Sequence, residues 1–411
     1  MPINTEIQNR IESTTLTLLD YCKKNDWAGF DPYDALNSRV FSQTPVVKNR
    51  IMRIAFTQLM KRLPVNLRPL LLVTREQNPK AIALFLSALF KLEKHGLLDK
   101  KGLIGTLVDR LIALRSPDTP YWCWGYSFPW QGRAVLVPKG APNLVCTVFA
   151  ANALLDAYEK NHETHCLTMA TSAAEYILNE LYWTDGDSIA GFSYPLPKLR
   201  ARVHNANFLG AALFCRVYKH TGEKKFLGPA LRVARYSASR QHDNGSWGYG
   251  ENSKQQWVDN FHTGYNLCAL RTICRYAGTT EFESQIRRGF DFYRKHFFRE
   301  DGAPKYFHDR IYPIDIHSVA SSIITLMELK DLDKGNVDLA HAVYGWTMDH
   351  MWDQQGYFYY QVHPLYKNKV SYMRWSQAWM LLALSTLLGD GDQGVTEEAA
   401  SDSFHIQLAK S

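Results

Sequence analysis

The sequence predicts an all-α (α/α)6-type toroid: a ring of about six helical hairpins, with inner helices around an axis and outer helices wrapped about them. Three observations predict it. Gly-aromatic or Lys-aromatic turns recur about every 55 residues, as WGYSF at Tyr126, AGFSY at Phe192, WGYGE at Tyr249, PKYFH at Tyr306 and GYFYY at Phe358. Each turn precedes a helical pattern that is apolar nearly all round, and the helices that follow alternate apolar with charged positions. A 411-residue chain with 46% hydrophobic and 13% aromatic content has apolar surface enough for one large core.

Taken in order, KNRIMRIAFTQLMKRL, PKAIALFLSALFKLEKHG and KKGLIGTLVDRLIALRS read as helices that supply one or two hairpins before Tyr126. Inner helices then begin near Asn143, Asn205, Phe261, Ile316 and Trp375. EKKFLGPALRVARYSASRQ and TEFESQIRRGFDFYRKHFF carry the half-charged pattern of outer helices, and YKHTGEKKF and RYAGTTEF supply glycine stops before them. No Gly/Ser/Pro-rich linker divides the pattern. Residues 1–388 are expected to form a single domain, with the polar stretch 389–411 as a weakly ordered tail.

Composition narrows the function. A net charge of +7 is spread without a basic run, so no nucleic-acid partner is expected. The first twenty residues carry acids and polar groups where an export signal needs an apolar core. Apolar stretches such as AWMLLALSTLL fall short of the roughly 18–20 residues that span a bilayer. Seven scattered cysteines without a CxxC pair read as buried thiols, which places the protein in the cytoplasm. The aromatic excess suits flat, partly polar ligands such as sugars.

Inner helices that start at one end of a ring bring their preceding loops to one mouth. Those loops carry acids, imidazoles, arginines and flat rings, the groups a carbohydrate site requires. The catalytic candidates are Asp259, His262, Asp309, Tyr312, Asp315 and His317. The substrate-binding candidates are Trp122, Trp124, Tyr126, Arg202, His204, Asn205, Trp257, Asn260, Tyr265, Arg310, Tyr372, Arg374 and Trp375. Asp259, Asn260 and Asp315 also sit where helix N-caps belong, and a buried histidine usually satisfies a neighbour. Three repeats each bringing a histidine to one axial level, as His204, His262 and His317 do, favour a site over capping. No HxxxH pair, GxSxG elbow, phosphate loop or dinucleotide glycine pattern is present, so neither metal nor cofactor is expected.

YMRWSQAWMLLALS resembles the Arg-x-x-Gln-Ala-Trp signature on a late inner helix of six-hairpin glycosidase-like enzymes. The repeat region, with GSWGYGE, WVDNFHTGYN, DGAPKYFHDRIYPIDIHS and YFYYQ, is similar to cytoplasmic bacterial toroids associated with polysaccharide biosynthesis, over roughly Trp122 to Leu388. The resemblance implies the toroid and a reaction among hydrolases, lyases and epimerases. RQHDNGSWGYG also resembles the Gln-Trp repeat of terpene cyclases, but no Asp-x-Asp-Asp accompanies it, and it marks a hairpin turn.

Hydrolysis needs two carboxyl groups, which Asp259, Asp309 and Asp315 can supply. A uronate C5-epimerase or lyase needs a carboxylate clamp, from Arg374 or Arg202 with Asn205. It also needs a base, His204 or His262, and a partner, Tyr265, Tyr312 or Tyr372. The superfamily resemblance favours hydrolysis, and the basic charge with an Arg-rich mouth favours an acidic poly- or oligosaccharide. A non-catalytic glycan-binding or scaffold protein is the third reading.

Overall fold

The computed structural model describes residues 5–98, 102–133 and 135–391; residues 392–411 of the expected tail lie outside the described residues. In chain order the helices are α1 (Thr5–Lys24), the short α2 (Arg39–Ser42), α3 (Arg50–Arg62), α4 (Pro79–Lys94), α5 (Gly102–Ala113), α6 (Leu144–Asn161) and α7 (Thr164–Tyr176). They continue as α8 (His204–Thr221), α9 (Lys224–Ala238), α10 (Asn260–Ala277), α11 (Glu283–Phe297), α12 (Ile316–Glu328), α13 (Asn336–Met351) and α14 (Trp379–Leu387).

Six of them, α4, α6, α8, α10, α12 and α14, pack each against the next, and α14 returns to α4 to close the ring. Their apolar surfaces explain this: α6 buries Leu144, Val145, Cys146, Val148, Leu154 and Leu155 on several faces, as an inner helix must. The outer helices α5, α7, α9, α11 and α13 pack on the inner helix before them, and α1 packs on α14. The sixth hairpin is therefore assembled from the two ends of the chain.

Helix α3 corrects one expectation. KNRIMRIAFTQLMKRL forms a helix as read, but it buries only Thr57 and Met60 and takes no place in the ring. The outer position belongs to α1, which buries a stripe of Ile11, Thr15, Leu18, Leu19 and Cys22. An apolar pattern predicts a helix but not which surface it covers.

The links after α8 and α10 end on glycine as expected, with Gly222 and Gly278 left-handed at φ 71° and 65°. Close packing of α10 on α12 rests on Gly264, where a Cβ would meet Thr325 Oγ1 at 2.5 Å and Ser321 Oγ at 2.7 Å.

The recurring aromatic turns have a mechanical role. A backbone N–H at the start of each of three inner helices donates to a turn carbonyl of the next hairpin, His204 to Tyr249, Asn260 to Tyr306 and Ile316 to Tyr360, and Met373, which opens the π-helical turn Met373–Ala378 leading into α14, donates likewise to Phe30. These bonds satisfy otherwise orphaned helix-start donors and stitch the outer-to-inner segments into one rim. Short ribbons, such as Ile314–Asp315 against Gln361–Val362, reinforce it. The last link involves a sixth turn, Ala28-Gly29-Phe30, which repeats Ala190-Gly191-Phe192.

Candidate active site at the mouth of the ring

Asp259 caps α10, its Oδ1 accepting the His262 backbone N–H at 2.9 Å. Its Oδ2 faces His262 Nδ1 at 2.7 Å and accepts from Trp257 Nε1 at 3.0 Å. The cap and the carboxylate–imidazole pair are thus one arrangement. Because α10 begins at residue 260, the side chain of His262 comes round to meet its own cap. Asp259 is buried, whereas His262 keeps 21% of its side chain exposed, between Tyr249 at 4.7 Å and Phe261 at 4.2 Å. With Nδ1 held, Nε2 is the nitrogen left for a ligand.

The next hairpin supplies the second imidazole. His317 stacks between Phe261 and Trp379, both at 4.6 Å, with Trp375 edge-on at 4.3 Å. Its Nε2 meets the Tyr265 hydroxyl at 2.5 Å, and its Nδ1 has no protein partner. Burial, with the cations of Lys80 and Arg374 nearby, pushes His317 well below the usual imidazole range and keeps it neutral. Burial likewise holds Tyr265 well above the ordinary phenol value, as a phenol.

The expected pairing of Asp315 with His317 does not form between side chains. Asp315 accepts from the His317 backbone N–H and Trp375 Nε1, both at 2.9 Å, and from Gln361 Nε2 at 2.6 Å. It is a fully buried, satisfied cap. Desolvation nevertheless raises its pKa, while those hydrogen bonds oppose the shift.

The arginines depart furthest from expectation. Arg202 is 38% exposed and pairs with Glu251 and Asp185. Arg310 is 59% exposed beside the equally exposed Asp309, and Tyr312 is also exposed. Arg374 is buried, but Asp31 grips it with two bonds of 2.5 and 2.8 Å. Every one already has a carboxylate, so none offers a free fork to a uronate.

Several other candidates are buried or held by protein partners away from the His262 and His317 pairs. Trp124 is fully buried and donates to Leu111 O, and Trp122 lies beside it, under Arg115. His204 turns to Ser237 of an outer helix at 3.4 Å. Asn205 is buried next to it; Asn260 is locked by Tyr293 and Ser322, and Tyr372 by Arg68. Tyr126 does reach the site, under the Arg374 guanidinium at 5.0 Å. Trp257 stacks on Tyr249 at 4.6 Å, and Trp375 lies across Tyr33 at 5.4 Å.

Sequence reasoning missed what residues 25–80 contribute. Lys61 reaches Tyr33 Oη at 2.8 Å, and Asp31 and Tyr33 come from the turn at Phe30. Lys80, two residues after the α4 cap as His317 is after its own, is buried over Phe149 at 4.2 Å and Trp379 at 5.2 Å. Burial, reinforced by Arg374, sets its pKa well below the usual lysine range. The Ala-Gly-Phe repeat at residue 28 and the lone lysine opening an apolar helix are the signals that point to them.

The hollow is therefore lined by His262, His317, Lys61, Lys80 and tyrosines from several hairpins. Tyr249, Tyr265, Tyr306 and Tyr360 lie within electrostatic reach of Asp259 or Asp315. Tyr360 Oη, like His317 Nδ1, has no protein partner.

No protein-family description matches the chain, and neither does any curated protein. Solved structures match its backbone. Cellobiose 2-epimerase from Spirochaeta thermophila superposes with a TM-score of 0.57 at 13% identity, over 76% of this chain and 86% of that one. A polysaccharide lyase gives 0.57 at 9% identity, over 95% and 99%. A glycoside hydrolase family 76 α-mannanase from Bacteroides thetaiotaomicron gives 0.57 at 13%, over 76% and 86%. At such identities the likeness is one of fold: the chain shares the six-hairpin (α/α) toroid of these enzymes.

Proposed function

We propose that this protein is a carbohydrate-active enzyme that moves a proton at a sugar carbon next to a carbonyl or carboxyl group, as an epimerase or lyase does. The observation that carries this reading is the Asp259–His262 pair, whose Nδ1 contact of 2.7 Å leaves Nε2 to the hollow, with the Tyr265–His317 pair on the neighbouring face. A base fixed by a carboxylate and a phenol able to protonate or hold the developing oxyanion are the two roles that the reaction needs. Hydrolysis needs two carboxyl groups at the bond to be broken. Asp315 is sealed by three donors, Asp309 faces solvent, and Asp31 is spent on Arg374. Enzymes sharing the fold include an epimerase and a lyase beside a glycoside hydrolase, so the fold is compatible with the proposed reaction without selecting it.

The test is turnover of reducing disaccharides and uronate oligosaccharides in deuterated water. The expected result is solvent deuterium in the product, abolished by His262→Gln. Release of new reducing ends without deuterium uptake would instead establish hydrolysis.

A further inference from the structure

Thirteen large apolar side chains are exposed among the described residues, and every one lies on a segment running from an outer helix to the next inner helix. Those segments form the rim of the mouth, so the opposite end and the outer wall contribute none. Eight fall within residues 40–72, among them Ile51 at 69%, Leu59 at 55% and Leu70 at 76%; the rest are at 136, 311–312 and 365–366.

Helix α3 is built the wrong way round for a water-facing helix. Ile51, Met52, Ala55 and Leu59 share its exposed face with Arg62, where a soluble protein normally sets polar residues. Residues 39–72 carry seven Arg or Lys and no Asp or Glu. Arg39, Lys48 and Arg62 are exposed and have no carboxylate partner among the described residues. Buried Arg68 holds the segment together by its bridge to Asp34 at 2.6 Å and ties it to the segment before α14 by donating to Tyr372 Oη at 2.8 Å.

From this juxtaposition we infer that the mouth face is a peripheral docking surface for an anionic lipid bilayer. Apolar side chains enter the boundary between headgroups and acyl chains, while the surrounding cations meet lipid phosphates. Charge argues against a second copy of the chain, since two-fold pairing of this face sets cations against cations. No helix is long and apolar enough to cross a membrane, so the attachment is one of surface. The mouth opens through this face. The inference is independent of the reaction proposed above.

The test is flotation of the full-length protein with phosphatidylcholine vesicles, with and without phosphatidylglycerol, at low and high salt. Binding is expected only with phosphatidylglycerol, and less at high salt. Lys48→Ala with Arg62→Ala should weaken it about 30-fold. Ile51→Ser with Leu59→Ser should weaken it about tenfold or more. Leu365→Ser, on a separate hairpin, should weaken it as well. Melting temperatures of these surface variants should match the parent. Failure of the parent to float at low salt, or full binding by the apolar variants, overturns the inference. So does a dimer in sedimentation that Ile51→Ser with Leu59→Ser dissolves, because the face then belongs to a second copy.

Discussion

Asp259 reaches His262 twice, with Oδ1 on its backbone N–H at 2.9 Å and Oδ2 on its Nδ1 at 2.7 Å. One carboxylate thereby starts the helix and orients the imidazole. Asp259→Asn keeps an oxygen for the cap but takes away the acceptor of Trp257 Nε1, so stability should fall by about 1–3 kcal/mol. Its amide, however, donates to Nδ1 and drives the ring proton to Nε2, where it blocks a base. Turnover should fall about a hundredfold or more, read as kcat at a temperature where the thermal melt shows the variant fully folded. Full activity would leave Asp259 as a cap alone.

Tyr265→Phe removes the hydroxyl bound to His317 Nε2 while conserving the ring stacked on Trp379 at 5.4 Å. The proposed chemistry expects kcat to fall about tenfold or more with KM little altered. A rise in KM alone would make Tyr265 a binding residue.

Burial pushes His204 from the ordinary 6.5 to about 4. Between those values the unfolded chain takes up a proton that the folded protein refuses. The stabilisation is complete above about pH 6.5 and disappears as pH falls toward 4, amounting to at most about 3 kcal/mol. Unfolding free energy should therefore decline across that window, and more gently in His204→Gln. Parallel pH profiles for the two proteins would remove His204 as a source of the acid sensitivity.

The Asp31–Arg374 pair is buried on both sides. Asp31→Ala strands a guanidinium without its counter-ion, and denaturant unfolding should show a loss of about 3–5 kcal/mol. A loss below about 1 kcal/mol would mean that water reaches Arg374.

Gly264→Ala sets a methyl within 2.7 Å of two hydroxyl oxygens on α12. The expected cost is about 1–3 kcal/mol, measured by the same unfolding curves. An unchanged midpoint would show that α10 and α12 can part without loss.

The sequence by itself determined the ring. Its signal is local and repeated: a cap such as Asn143 or Asp259, an all-round apolar helix, a glycine stop, and an aromatic turn that accepts the neighbouring helix-start N–H. Periodicity in one dimension suffices for that, because each hairpin packs mainly on its neighbours. It also brought out His262, His317 and Tyr265, since every inner helix presents its first turn to the same mouth. Tertiary structure alone decided how those groups are used. Whether the carboxylate of Asp315 is free depends on Trp375 and Gln361, which arrive from the next hairpin. Whether an arginine can hold an anion depends on acids such as Asp31, more than 300 residues away along the chain from Arg374. Which helix completes the ring was settled by contact as well: α1 had a stripe that fits α14, and α3, equally helical in pattern, was left on the rim with its apolar side outward.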